Sequence, residues 1–417
     1  MARGREGSWE TNIEGRYVHH DFSRAARAAR VLSPFSAAQS PGALWHLFAD
    51  DFVKDIAGPD TRREAETRGL HPPTDNDVHR LFTCFLAMGA ASGVPWSKHF
   101  WATSRSSMAG LFSCPIVRRL MSRDRYWRLI GVLTWDLPSA ERYFNQRFKE
   151  ALTPSSRCTV DELMIPFKGR ARRVKVYNPR KRVRTGIKVF SIGCARTNYL
   201  YDYVVYLKEN TRGNLTTPEA LMLHADGLLP RATLICADRW YGSLAVALRL
   251  NRLRRPFVIA CQKNRPAHVW DGLAGGLEKG ATEVLQHRPS GVTAWAFRDR
   301  SATLLLLTNG VSDWGSLPGR RPRHQGDIHR PRVRDVYQDS MAQADKYAQM
   351  ITNFRFSRRQ KKWTDAVRHY TLDVVATNAY ILWNLLRKQR GQTAVTHIGF
   401  LSQLVSELCE EITGACP

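Results

Sequence analysis

Apolar residues recur every three to four positions in "GALWHLFADDFVKDIA", where Leu44, Phe48, Phe52 and Ile56 fall on one helical face. The next such run, "PPTDNDVHRLFTCFLAMGA", opens with Thr74 and Asp77 spaced as a capping box. "SRDRYWRLIGVLTWD" predicts a third helix, so residues 42–136 read as all-helical. Between 157 and 262 the texture changes to short strands: "CTVDELMIPF", "GIKVFSIGCA", "YLYDYVVYLK", "ATLICAD" and "PFVIACQ", with a helical "SLAVALRLNRL" before the last. Three neighbouring strands, then strand, helix and strand, predict a mixed sheet with helices packed on it, an α/β fold. Residues 281–309 read as a smaller strand-turn-strand segment, and 311–335 as a Pro/Arg/Gly-rich loop. Helix then returns, with a stripe of Met341, Ala344, Ala348 and Ile351 that carries Asp345 on or beside it. Trp363, Val367, Tyr370, Val374, Ile381 and Leu385 mark a long amphipathic helix after it. Residues 1–40 are basic, Ala/Ser-rich and weakly periodic, and read as a mobile arm. There is no internal repeat.

Charge changes this picture. The 417 residues suffice for two or three domains, and a hydrophobic content of 43% excludes a mainly disordered chain. A net charge of +26 calls for a polyanionic partner, and a regular line of phosphates, DNA or RNA, suits it better than a small metabolite. An anionic membrane is the rival, but no apolar run approaches the ~20 residues of a spanning helix. "MARGREGSWETN" has no apolar core of a secretory signal. Cys84, Cys114, Cys158, Cys194, Cys236, Cys261, Cys409 and Cys416 are scattered singly, so they read as reduced core residues and form neither a zinc site nor a disulfide framework. His19 and His20 read as part of the tail.

Three acids interrupt apolar surroundings. Asp161 lies within the first strand, Asp238 ends the apolar run "TLICAD", and Asp345 sits on a helix face otherwise built of Met and Ala. Taken singly, each reads equally well as a cap or a salt-bridge partner. Together, carboxylates from a sheet and a helix suit a pair of divalent cations about 4 Å apart, acting on a phosphodiester. Hard oxygen donors favour Mg²⁺ or Mn²⁺.

These stretches resemble the piggyBac family of DDE/D transposases over about residues 41–405. "DTRREA", "AMGAASGVPWSKHFW" and "MSRDRYWRLIGVLTWD" match in the helical part; "VDELMIPFKGR" with "YNPRKRVRTGIKVF", then "ICADRWYGS", then "PRVRDVYQDSMAQADKYAQM" with "SRRQKKWTDAV", follow in the family's order. The resemblance implies an RNase H-like catalytic core, a mixed sheet with flanking helices, interrupted by a small β-rich insertion domain between the second and third acids. The implied layout is an arm at 1–40, a helical dimerisation and DNA-binding domain at 41–150, core at 151–265, insertion at 266–330, core again at 331–400 and a tail at 401–417. It carries the catalytic and metal-binding roles onto Asp161, Asp238 and Asp345. It also implies two Mg²⁺ or Mn²⁺ ions, double-stranded DNA as substrate, a homodimer and a nuclear location. Family members cut transposon ends through hairpin intermediates and join them to TTAA targets.

The sequence also departs from the family. Ala342 and Gln343 stand where two glycines usually precede the third acid, Ala348 replaces an acid after it, and Arg239 follows Asp238 in place of Asn. The cysteine-rich zinc domain of the family has no counterpart. A catalytically silent DNA-binding descendant is therefore the second reading, and an RNA-binding module, which leaves the three acids unexplained, the third.

Residues 168–188 hold ten Lys/Arg and no acid, a density that like charges tolerate when phosphate neutralises them. Arg172, Arg173, Lys175, Arg180, Lys181, Arg182, Arg184 and Lys188 are the candidate DNA ligands here, with Arg239 beside the second acid. "FRFSRRQKKW" adds Arg358, Arg359, Lys361 and Lys362, with Phe354, Phe356 and Trp363 interleaved, which read as anchors of the patch to the core rather than as stacking partners of an exposed base. Either patch doubles as a nuclear localisation signal. Glu162 points to the opposite sheet face from Asp161 and reads as structural. Asp299 reads as a turn residue, Asp335 and Asp339 as weaker rivals for the third acid, and Trp295 as a core residue of the insertion.

Overall fold

The computed structural model describes residues 9–10, 20–21, 27–91, 100–101, 114–179, 181, 183–208, 211–262, 277–298, 303–311, 314–317, 328–356 and 360–414. Arg180, Arg182, Asp299, Arg358 and Arg359 lie outside them.

The predicted helices form where their caps stand. Helix α1 (Pro41–Phe52) starts at Ser40, whose hydroxyl accepts the Ala43 amide at 3.2 Å, and a π turn (Val53–Ala57) carries it into α2 (Gly58–Thr67). The Thr74/Asp77 capping box opens α3 (Asp75–Ala90). Helices α4 (Pro115–Leu120), α5 (Arg123–Val132) and α6 (Leu137–Ala151) follow, the last two capped by Ser122 and Asp136. Phe52 sits at the centre of this module, 4.5 Å from the Phe144 ring and 5.3 Å, edge-on, from Trp135. Each such fully buried side chain contributes about 2 kcal/mol.

Three antiparallel strands, β1 (Arg157–Pro166), β2 (Thr185–Cys194) and β3 (Leu200–Val205), begin the sheet. Helix α7 (Pro218–Leu228) leads to β4 (Leu234–Ala237), parallel to β1, and α8 (Leu244–Arg252) leads to β5 (Phe257–Cys261), parallel to β4. The spatial order is therefore β3-β2-β1-β4-β5. Strand alternation divides the side chains: Cys158, Val160, Phe190 and Ile192 pack on α7 and α8, while Leu163, Ile165, Ile187 and Val189 join the same core as Phe48, Phe82 and Phe144.

Strands β6 (Thr282–His287), β7 (Thr293–Arg298) and β8 (Thr303–Thr308) do not make a sheet of their own. β8 pairs antiparallel with β5, Val258 opposite Thr308, so the described strands of the expected insertion continue the main sheet. Trp295 is buried there, against Val333 and Val336 of the helix that crosses this face. Within the segment read as loop, Trp314–Leu317 and Ile328–Pro331 pair as a two-stranded ribbon.

That crossing helix is α9 (Arg332–Phe354), followed by the long, mostly buried α10 (Trp363–Gln389). The expected tail belongs to α11 (His397–Thr413), whose Phe400, Leu401, Leu404, Val405 and Leu408 are buried in the core shared with α1 and α3. The i, i+4 spacing of these apolar residues drives that docking. The expected mobile arm is likewise tied down along its described part. Arg30–Val31 pairs with Leu152–Thr153, Phe35 is fully buried 4.8 Å from the Phe48 ring, and Trp9–Glu10 pairs with the edge strand β6.

Candidate active site

Parallel pairing of β1 and β4 sets Val160 opposite Ala237, and the next residue of each chain is an acid, Asp161 and Asp238. Asp161 is only 9% exposed; Asp238, just past the carboxyl end of β4, is half-buried. Burial pushes the Asp161 carboxyl up to about 6, opposed by the charge of Lys181 and the Glu162 amide, and reinforced by the charge of Asp238. Its Oδ1 accepts the Glu162 amide at 2.7 Å, and Lys181 Nζ stands 3.8 Å from the same atom. Ser191 Oγ donates to the Asp161 carbonyl at 3.0 Å across the β1–β2 ladder.

Two tyrosines close over the pair. Tyr337, on α9, donates to Asp238 Oδ1 at 3.5 Å. Tyr241 is buried in the turn after β4, where its amide donates to the Asp238 carbonyl at 2.9 Å, and its hydroxyl finds no hydrogen-bond partner among the described residues. Burial first holds both phenols above their ordinary range, helped by the charges of Asp161, Glu162 and Asp238 at Tyr241 and of Asp238 and Asp161 at Tyr337. The turn is pressed onto β5: a Cβ on Gly242 would collide with the Ala260 carbonyl.

Asp345 is not brought to this pair. It is exposed on α9, whose inward stripe is Val333, Val336, Tyr337, Ser340, Gln343, Ala344, Tyr347 and Ile351. Gln343 fixes that phase, accepting from Thr159 Oγ1 at 2.8 Å and donating to the Asn198 carbonyl at 3.2 Å. Position 345 is two residues on, about 200° around the helix, and so points away. The expected stripe of Met341, Ala344, Ala348 and Ile351 is thus only half right, since Met341 and Ala348 are partly exposed. Asp339 is exposed too, and Asp335 lies beside Arg334 at 3.4 Å. Among the described residues no group of three or more His, Cys, Asp or Glu could hold a metal ion together. Asp161 and Asp238 offer a hard divalent cation two carboxylates, whose mutual repulsion Lys181 offsets only in part.

The basic residues divide. Arg172, Arg173, Arg184, Arg239, Lys361 and Lys362 are exposed. The two patches meet, since a Cβ built on Gly169 would lie 2.8 Å from the Lys361 carbonyl oxygen. Lys175 donates to the Gly169 carbonyl at 3.1 Å within this junction. Lys188, expected among the DNA ligands, is instead matched inside the fold: it pairs with Glu162 at 2.8 Å and lies over the Trp240 ring at 4.9 Å. Glu162, also bonded by Asn178 at 3.0 Å, is structural as expected. Phe356 anchors the second patch, stacked on Phe85 at 4.9 Å.

Two contributors carry no signal in the sequence. Tyr337 is one residue in an ordinary amphipathic helix. Arg255 is lost among surface charges, yet it is fully buried; it bonds Asp226 at 2.6 Å and the carbonyls of Asp226, Leu229, Pro230, Arg231 and Thr233, clamping the lead into β4.

A family profile described as Transposase IS4 matches residues 42–380, which include all three acids. This chain belongs to that family, in its piggyBac-type branch. The human PiggyBac transposable element-derived protein 3 is 21% identical over 435 aligned positions, covering 96% of this chain and 70% of the relative. A human chimeric ERCC6-PGBD3 protein matches at the same identity, and there the chain spans 39% of the relative. Among solved structures, a piggyBac transposase synaptic complex with hairpin DNA superposes with a TM-score of 0.76 at 18% identity, over 93% of this chain and 83% of that one. The piggyBac-type fold is thus shared well beyond what the residue identities reveal. Among the described residues no helix is long and apolar enough to cross a membrane.

Proposed function

We propose that this piggyBac-type chain is a metal-dependent DNA transposase that hydrolyses phosphodiesters at transposon ends and joins the ends to TTAA targets. The observation that carries the reading is the juxtaposition of Asp161, in the middle of β1, with Asp238, just past the carboxyl end of the parallel β4, beside exposed basic residues. The strand order β3-β2-β1-β4-β5, with the last two parallel to β1, supports an RNase H-like core.

Asp161 and Asp238 would hold Mg²⁺ or Mn²⁺, which supplies Lewis-acid activation of the attacking oxygen and charge stabilisation at the leaving oxygen. Tyr337 holds the Asp238 carboxylate in place, and Lys181 provides a positive charge where a phosphate would approach Asp161. Arg172, Arg173, Arg184, Arg239, Lys361 and Lys362 draw the DNA backbone across this face, where phosphate contacts position the duplex. Action as a homodimer in a nucleus goes with the reading.

The test is incubation of the purified chain with its matched terminal repeats and Mg²⁺ or Mn²⁺. Nicking, hairpin formation or strand joining, abolished by Asp161→Asn or Asp238→Asn with DNA binding retained, supports it. Binding without any cleavage would overturn it in favour of a silent, domesticated DNA-binding protein. The outward position of Asp345 is the observation that favours that second reading.

A further inference from the structure

The basic run after β1 folds as a hairpin whose base and tip are held differently. The base belongs to the sheet, since Val176 pairs with Gly186 and Tyr177 with Thr185 at the start of β2. The tip closes on itself, with the Asn178 amide donating to the Arg184 carbonyl at 2.7 Å and the Lys181 amide to the Asn178 carbonyl at 3.3 Å. Two side chains then bring the tip back onto β1. Asn178 Nδ2 donates to Glu162 Oε1 at 3.0 Å, and Lys181 Nζ donates to the Glu162 carbonyl at 3.2 Å while standing 3.8 Å from Asp161 Oδ1. Tyr177, Pro179 and Arg184, on the outer side, are exposed.

Two demands therefore meet on one lysine. Asp161 is largely buried, so an ammonium beside it supplies charge compensation that water does not. A dication bound to Asp161 Oδ1 at the ~2.1 Å usual for Mg²⁺ would lie within about 6 Å of that ammonium, where the two repel. Lysine and metal are thus alternative partners of one carboxylate. Residues 178–184 also carry Arg180, Lys181, Arg182 and Arg184 and no acid, so the same tip is drawn to phosphate. A lysine serving phosphate alone would point outward, as Arg184 does.

We propose that the hairpin tip is an autoinhibitory latch: Lys181 stands in for a cation at Asp161 in the free protein, and DNA phosphates that draw it away open Asp161 to the metal. The inference rests on the proposed metal-dependent function. The sheet-bound base lets the tip swing without disturbing β1 or β2, because the contacts it gives up are the side-chain bonds of Asn178 and Lys181. DNA binding and metal loading are then coupled, and by linkage Mn²⁺ strengthens DNA binding by the same factor that DNA strengthens Mn²⁺ binding. The latch keeps the acids from loading metal before a substrate is present.

The test measures Mn²⁺ binding to the full chain by calorimetry, without DNA and with a saturating short duplex of arbitrary sequence, the uptake by the duplex alone being subtracted. In the wild type the duplex tightens Mn²⁺ binding severalfold. Lys181→Met binds Mn²⁺ severalfold more tightly without DNA, and the duplex then adds less than it does in the wild type. Asn178→Ala keeps the lysine but loosens the tip, so its DNA-free binding falls between the two. Both positions lie on a surface hairpin, and unchanged melting temperatures check the fold. Two results overturn the latch. Equal tightening by the duplex in wild type and Lys181→Met would trace the gain to a phosphate that ligates the metal. Asn178→Ala indistinguishable from wild type would make Lys181 a fixed charge and not a movable one. In either case Asp161→Asn still weakens Mn²⁺ binding and the proposed function stands. Mn²⁺ binding that survives both Asp161→Asn and Asp238→Asn overturns the function and the latch together.

Discussion

Lys181 Nζ stands 3.8 Å from Asp161 Oδ1 and donates to the Glu162 carbonyl at 3.2 Å. A lysine from the densest basic run in the chain thus ends beside one of the two carboxylates of the site. At pH 8, where Asp161 is ionised, its ammonium repels any divalent ion held there. Lys181→Met should tighten Mn²⁺ binding severalfold and weaken DNA binding, measured by calorimetry on the free protein and by gel shift. Looser Mn²⁺ binding in the variant would contradict this placement.

In the free protein, Asp161→Asn and Asp238→Asn should each remove the rise in melting temperature produced by Mn²⁺, while Asp345→Asn keeps it. Because burial pushes Asp161 up to about 6, protons compete with the metal below that pH. The thermal shift should therefore be larger at pH 7.5 than at pH 5.5. Loss of the shift in Asp345→Asn would show that α9 turns to bring the third acid inward.

Replacing Arg172, Arg173, Lys361 and Lys362 together by alanine should weaken binding to all DNA sequences alike. The slope of log affinity against log salt should flatten by about 0.9 for every phosphate that the variant no longer neutralises. Lys188→Ala should behave differently, lowering the melting temperature because it leaves Glu162 in a half-buried site without its ion pair.

Arg255→Met removes the buried cation from Asp226, leaving it only the exposed Arg231 at 3.5 Å among the described residues, and removes the donors from five carbonyls. Breaking a buried pair from one side costs about 3–5 kcal/mol, so the variant should unfold at markedly lower denaturant. Unchanged stability would mean that water replaces the clamp.

His369, 8% exposed, packs at an angle against the stacked rings of Phe85 and Phe356, and burial pushes its imidazole down to about 4. Its contribution to stability is complete above the ordinary histidine value, near 6.5, and is lost as pH falls from there toward 4. Between pH 7 and 5 the loss is on the order of 2 kcal/mol. His369→Gln should reduce this acid sensitivity in urea unfolding at the two pH values. Glu141, raised to about 7 by burial, acts in the opposite direction, so the difference between wild type and variant is the quantity to compare.

Much of this molecule is written locally. Thr74 and Asp77 cap α3 because a capping box needs only four residues of chain, and the alternation in "CTVDELMIPF" and "GIKVFSIGCA" makes strands wherever a core lies on both faces. The placement of Glu162 opposite Asp161 follows from the two-residue strand period, and the excess of arginine and lysine calls for a polyanionic partner. Tertiary structure decided the rest. The register of β1 on β4 joined Asp161 to Asp238 across 77 positions of chain, and sequence carries no local signal for such a pairing. The phase of α9 was settled by Gln343 wedging between Thr159 and Asn198, which turned Tyr337 inward and Asp345 outward, although the apolar stripe alone left that rotation undetermined. Charge itself was sorted by folding: Lys181 went to the acids, Lys188 to Glu162 and Arg255 to the core, because a side chain's role depends on which opposite charge the fold brings within reach.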